Sequence, residues 1–161
     1  MKTYRSEKLG FEIDLSEDWS PGRANPPFFF ALLARLVGGW TPQVDVLFDR
    51  GREEMLNVVL ETWNPEPPPE AVEHGFRLYA QRTGYTDVSC GRISVGGRWH
   101  AWARYRMAGN VWLKKYMIIL GGKGYGITAS CRVQELPVER EKEWDAIACS
   151  LRALTPANKS S

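Results

Sequence analysis

The stretch from Val111 to Cys131 constrains this chain more than any other. It reads Val-Trp-Leu-Lys-Lys-Tyr-Met-Ile-Ile-Leu, then Gly-Gly-Lys-Gly, then Tyr-Gly-Ile-Thr-Ala-Ser-Cys. Aromatic and β-branched residues fill both arms, and glycines between them supply the backbone freedom of a tight turn. Two long antiparallel strands follow. A two-residue turn at Gly122-Lys123 pairs Leu120 with Tyr125, Ile118 with Ile127 and Tyr116 with Ala129, all on one apolar face. The same glycines suggest a phosphate cradle, but a nucleotide-binding loop needs GxxxxGK, then Ser or Thr, then a helix. Here Gly124 follows Lys123 and a strand follows that, so the turn reading stands.

The preceding region extends the sheet. Asp87 to Val95 and Arg98 to Met107 read as strands around Gly96-Gly97. A three-residue loop, Gly96 to Arg98, pairs Val95 with Trp99 and Ile93 with Ala101. Trp99, Ala101, Ala103, Tyr105 and Met107 then share one face, and Arg98, His100, Trp102, Arg104 and Arg106 the other. A two-residue turn at Gly109-Asn110 puts Trp112, Tyr116, Ile118 and Leu120 on the Trp99 face. Val111, Leu113, Met117 and Ile119 then lie beside Arg104, Arg106 and Lys115. A one-residue slip would reverse that assignment. A sheet with apolar residues on both faces is covered on both.

Other elements follow the same logic. Thr3 to Ser6 and Phe11 to Leu15 form a hairpin, with Phe11, Ile13 and Leu15 alternating against Glu12 and Asp14. Trp19 plugs one end of the core. Gln43 to Asp49 is a strand with Val44, Val46 and Phe48 inward. Met55 to Trp63 is another, with Leu56, Val58 and Leu60 on its apolar side. The proline-rich link Asn64 to Pro69 is stiff and extended. It opens a helix over Pro69 to Thr83, with Val72, Phe76, Tyr79 and Thr83 at helical spacing and Gly84 as its stop. A last helix spans Val138 to Leu151, with Trp144, Ile147, Ala148 and Leu151 as an inward stripe. One domain of residues 1–154 is expected, with an apolar insertion at about 20–42 and a disordered tail at 155–161.

That insertion is the candidate site. Pro26-Pro27 can open a helix and Gly38-Gly39 can close one. The run between them holds Phe28, Phe29, Phe30, Leu32, Leu33, Leu36 and Trp40. A helix this apolar must be covered on more than one side. It reads as core, as a dimer contact, or as a groove for an apolar protein partner such as a hydrophobic helix. Those seven residues are the expected partner-binding set.

Composition narrows the classes. Twenty-one basic residues face 19 acidic ones, which gives no general electrostatic case for nucleic acid or anionic membrane. Arg98, Arg104, Arg106, Lys114, Lys115 and Trp102 make a basic, aromatic-bearing region, but the ribonucleoprotein motifs that would support it are absent, so no nucleic-acid partner is expected. No segment reaches the roughly 20 apolar residues of a membrane span, and no stable membrane insertion is expected. Cys90, Cys131 and Cys149 are an odd, dispersed set. They argue against a disulfide framework and for the cytoplasm, with Cys131 and Cys149 as small apolar fillers. No zinc-ligand spacing appears. No metal, cofactor or catalytic residue is assigned, and the chain is read as a non-enzyme. The alternative is a small enzyme or ligand-binding protein whose cleft uses His100 and nearby arginines.

Leu9-Gly10-Phe11-Glu12-Ile13-Asp14-Leu15-Ser16-Glu17-Asp18-Trp19 resembles the opening GF-x-hydrophobic-D-x-P-x-x-W of the PsbP-like superfamily, departing at Ser16, where proline is usual. Tyr116 to Thr128 resembles that family's late hairpin, and Trp144 to Ile147 with Ser150 to Arg152 its closing helix. The resemblance implies an α+β chain folded as an α/β/α sandwich with a central, mainly antiparallel sheet. Its members include the extrinsic photosystem II protein PsbP, a Ran-binding nuclear-transport factor, the DcrB lipoproteins and Eag-type chaperones of hydrophobic helices. They are mostly binding proteins without catalysis. It therefore implies a binding module or adaptor, and carries over no functional residue, since the matching positions are core and turn.

Overall fold

The computed structural model describes residues 1–22, 46–61 and 65–154. Ten strands and two helices follow one another in it. They are β1 (Lys2–Ser6), β2 (Phe11–Leu15), β3 (Ser20–Pro21), β4 (Val46–Arg50), β5 (Glu54–Glu61), α1 (Pro69–Thr83), β6 (Thr86–Val95), β7 (Arg98–Met107), β8 (Val111–Leu120), β9 (Lys123–Arg132), α2 (Val138–Cys149) and β10 (Arg152–Ala153). Seven strands form one sheet in the order β3-β4-β5-β9-β8-β7-β6, and β1-β2-β10 form a second. Every pairing is antiparallel. The expected α+β class and layered sandwich are what the chain adopts.

The larger core lies between the large sheet and a lid made of α2 and the small sheet. Phe11, Ile13, Leu15, Trp19, Tyr116, Ile118, Tyr125, Ile127 and Trp144 meet there, all fully buried. Tyr125 donates to the Leu9 carbonyl at 3.1 Å, tying the β8–β9 hairpin to the β1–β2 turn. A smaller core lies under α1, where Phe76 and Ala80 pack on Ala101, Ala103, Tyr105 and Met117. Pro69 starts α1 and left-handed Gly84 (φ 70°) ends it, with the following amide, that of Tyr85, donating to the Ala80 carbonyl at 3.1 Å. Proline loses no needed donor in the first turn, and glycine carries no Cβ to strain at the stop. Of the expected α1 stripe, Phe76 is buried, whereas Tyr79 is exposed and Ala80 takes the inner position.

Three hairpin registers differ from expectation. The β6–β7 loop has two residues, Gly96 and Gly97, both at positive φ, and pairs Val95 with Arg98 and Ile93 with His100. Two left-handed glycines make the loop whose twist suits the strands. The β7–β8 loop has three residues, Ala108 to Asn110, so Met107 pairs with Val111 and Ala101 with Met117. Gly109 and Asn110 both have positive φ, and asparagine tolerates that region better than most residues. This is the one-residue slip that reverses faces. Trp112, Tyr116 and Ile118 lie with His100 and Trp102, facing α2, and Trp99 lies on the other side, 62% exposed. Arg104 and Arg106 also move to the Trp112 face. The β8–β9 turn is Gly121-Gly122, pairing Ile118 with Tyr125. That shift of two residues keeps every side chain on its expected face.

Smaller differences are local. β4 starts at Val46 among the described residues, so expected Val44 lies outside them, and only Phe48 of its inward set is fully buried. β5 ends at Glu61 and α2 at Cys149. Trp63, the expected insertion from residue 23 onward and the expected tail at 155–161 lie outside the described residues.

Candidate functional site

The expected partner-binding set, Phe28, Phe29, Phe30, Leu32, Leu33, Leu36 and Trp40, lies outside the described residues. The structure does describe where that segment is attached. Pro21 pairs with Phe48, and the Gly22 amide donates to the Leu47 carbonyl at 2.7 Å. A Cβ on Gly22 would come within 2.8 Å of Leu47 Cγ, so only glycine admits this approach. The described residues that flank residues 23–45 are therefore paired at one end of the large sheet. Arg50 braces β4 at that end. Its guanidinium lies 4.6 Å from the Trp19 ring centre and forks onto Glu143 of α2 at 2.6 and 2.9 Å. It also donates to Glu54 at 2.6 Å, and Arg140 pairs with Glu54.

His100 sits where the β7–β8 ladder stops. The register puts Trp99 opposite Ile119, yet regular pairing ends at Ala101 with Met117. The Ile119 amide donates instead to His100 Nδ1 at 3.2 Å, and His100 Nε2 lies 3.2 Å from the Val95 carbonyl. Those partners assign Nδ1 as acceptor and Nε2 as donor, the neutral imidazole. Burial pushes the His100 pKa below its ordinary value, outweighing the Val95 bond that favours the cation. Both ring nitrogens serve the backbone, so the ring is placed as a brace.

Beyond that brace lies a cleft of about 20 Å³, lined in part by Glu66, Pro67, Val72, Arg98, Trp99 and His100. That volume suits about one water molecule. The cleft brings His100 together with Arg98, whose guanidinium bonds Glu66 at 2.5 Å. It does not gather the other arginines.

The basic region is divided and neutralised. Arg104 pairs with Glu141 at 2.7 Å, Arg106 with Asp87 at 3.6 Å and Lys115 with Glu61 at 3.9 Å. Lys114 is 1% exposed. Its ammonium lies 2.7 Å from both Glu141 and Asp145 and 4.3 Å from the Trp102 ring centre. Tyr116 donates to the same Asp145 at 2.7 Å. Burial alone would raise the Glu141 carboxyl, but bonds from Lys114 and Arg104 hold it below the usual range. Sequence reasoning missed this cluster. Its trace was the spacing Glu141-x-x-x-Asp145 around buried Trp144, which puts two carboxylates on one helix face.

The three cysteines are free. Cys131 is a buried filler, its thiol pushed up to about 11 by burial. Cys149 is exposed, not a filler, because α2 ends there and its thiol turns to the Ser94 carbonyl at 3.7 Å. Among the described residues no cluster of three or more His, Cys, Asp or Glu could hold a metal ion, and no helix is long and apolar enough to cross a membrane.

No family model matches the chain, and no curated protein does. Solved structures do. The solution structure of cyanobacterial PsbP (CyanoP) from Synechocystis sp. PCC 6803 superposes with a TM-score of 0.61 at 16% identity, over 94% of this chain and 91% of that one. The fold is PsbP-like. A crystal structure from Bacteroides thetaiotaomicron VPI-5482 superposes with a TM-score of 0.55 at 10% identity, over 96% of this chain. This chain spans 49% of that protein. The PsbP-like layout agrees with the residues that carried the resemblance. Phe11 and Trp19 are core, Gly10 is a left-handed turn residue, and Trp144 is a fully buried residue of the closing helix.

Proposed function

We propose that this PsbP-like chain is a non-enzymatic binding module that recognises a protein partner through the apolar surface of residues 28–40. Phe28, Phe29, Phe30, Leu32, Leu33, Leu36 and Trp40 supply the contact. A hydrophobic helix is the partner chemistry that matches such a set. The observation that carries the reading is that the chain on either side of this apolar run is joined at one sheet end, where the Gly22 amide donates to the Leu47 carbonyl. The PsbP-like fold supports it, as does the use of His100 as a backbone brace. Three free thiols support action in the cytoplasm.

The test compares wild type with a Phe29→Asp, Leu33→Asp double variant in pull-downs and light scattering. A partner retained by wild type and lost from a variant with an unchanged circular dichroism spectrum supports the proposal. Identical partners and identical mass for both proteins would sink it.

A further inference from the structure

β6 is an outer strand of the large sheet. The Gly96-Gly97 loop decides which of its backbone groups face outward. A two-residue loop makes its flanking residues, Val95 and Arg98, a hydrogen-bonded pair. Bonding to β7 then alternates along the register through Ile93, Gly91 and Ser89. Ser94, Arg92 and Cys90 consequently turn their N–H and C=O groups away from the sheet. The Cys149 thiol reaching the Ser94 carbonyl at 3.7 Å agrees with this assignment. The outward groups of Cys90 and Arg92 meet no partner among the described residues.

Such an edge is a template for another strand, and folded proteins usually block it. Between Ser89 and Val95 there is no proline and no lysine. The one charged side chain there, Arg92, is drawn onto α1 by Glu70 at 2.7 Å. The regular edge ends at the irregularity between Thr86 and Ser89, where Asp87 has φ 51°.

We propose that β6 pairs antiparallel with β6 of a second copy of this chain, about a two-fold axis at Gly91. The choice of axis follows from what each register would place opposite what. An axis at Arg92 sets like charges face to face and needs the Ser94 carbonyl that Cys149 already holds. An axis at Cys90 runs Arg92 against the irregular Val88. An axis at Gly91 sets Cys90 opposite the partner's Arg92 and Arg92 opposite the partner's Cys90. It uses the free backbone groups of both residues in each copy and opposes no like charges. Gly91 suits the axis for a second reason. Trp102 packs its ring over the glycine, with Cζ2 2.6 Å from where a Cβ would stand. The axis therefore carries half-buried indoles over two side-chain-free positions, and pairing covers them. Aromatic cover of a strand glycine is a known way to stabilise such a site.

The test uses full-length protein. Sedimentation analysis of wild type should give twice the mass of one chain. Amide exchange followed by NMR should be slow at Cys90 and Arg92 in concentrated protein and fast after dilution. Arg92→Pro removes an outward N–H without breaking a bond to β7, so it should give the mass of one chain with an unchanged circular dichroism spectrum. A single-chain mass for wild type at every concentration overturns the proposal. So does a doubled mass with fast exchange at both amides, or a doubled mass for folded Arg92→Pro. Protection of those amides only after an unrelated extended peptide is added would assign the edge to a different partner and also overturn it. If Arg92→Pro fails to fold, exchange in the wild type decides.

Discussion

The Lys114 ammonium donates to the Glu141 carboxylate across 2.7 Å, with the lysine side chain only 2% exposed. That bond joins the middle of the sheet to the helix covering its larger core. A lysine so deep needs partners, here Glu141, Asp145 and the face of Trp102. Lys114→Ala removes the cation and leaves two carboxylates facing each other beside the core. Breaking a buried pair costs about 3–5 kcal/mol, and partial exposure of the acids lowers this to about 2–3 kcal/mol. Urea denaturation measures the loss. Lys114→Met, which retains packing on Trp102, should lose less.

The acids of α2 make stability depend on pH at the acidic end. Burial works to raise the Glu143 carboxyl, but bonds from Arg50 and Ser16 hold it below the ordinary carboxylate value, as Lys114 and Arg104 do for Glu141. A carboxyl lowered on folding stabilises above its unfolded pKa of about 4.5 and loses that contribution as pH falls through the folded value. The contribution of these carboxylates to the urea midpoint should therefore hold from pH 7 to about 5 and fall below that. Glu143→Gln should flatten the acid limb, because one linked proton is removed.

His100 acts in a different window. Its pKa is lowered by burial, so the neutral ring stabilises the fold above an unfolded pKa of about 6.5, and stability declines as pH falls from there towards the folded value. The imidazole signals in an NMR titration should stay neutral below pH 6.5. His100→Ala leaves the Ile119 amide and the Val95 carbonyl without that partner and should cost about 2–3 kcal/mol.

Gly91 is a packing position. Alanine there would put a methyl 2.6 Å from Trp102 Cζ2. Overpacking of this kind costs about 1–3 kcal/mol, read as a lower thermal midpoint. Adding Trp102→Ala should recover part of the steric loss while opening a void of its own. The double variant should therefore be less destabilised than the sum of the two singles, a coupling between neighbours.

Trp99 should behave oppositely to the other aromatic residues of β7. It is 62% exposed, so Trp99→Ala should change stability by no more than about 0.5 kcal/mol. It should remove much of the fluorescence that acrylamide quenches readily. Trp19 and Trp144, fully buried, should account for the resistant fraction.

Most elements were legible in the chain. Alternation in Phe11–Leu15, helical spacing with Gly84 as a stop, and the Trp144–Leu151 stripe each state a local period, and each element formed. The candidate site was legible only as a run of apolar residues, Phe28 to Trp40, because no pattern in sequence states what such a run packs against. The Lys114 cluster was hidden for a related reason. A lysine in a strand reads as solvent-facing until the helix that covers it, with Glu141 and Asp145, is in place.

The sequence by itself determined that residues 86–132 make four strands alternating in character, since period two is a property of neighbouring residues. Which face those residues present was decided only by the tertiary structure. Gly109 and Asn110 both enter the left-handed region, the loop takes Ala108 as a third residue, and the slip carries Tyr116 and Ile118 to the side where Trp144 waits. Local energies of loops of two and three residues differ little, whereas placing that aromatic and aliphatic set against α2 buries several large side chains at about 1.5–3 kcal/mol each. Burial therefore chose the register, and with it made Lys114 a buried cation, His100 a brace and Trp99 an exposed aromatic.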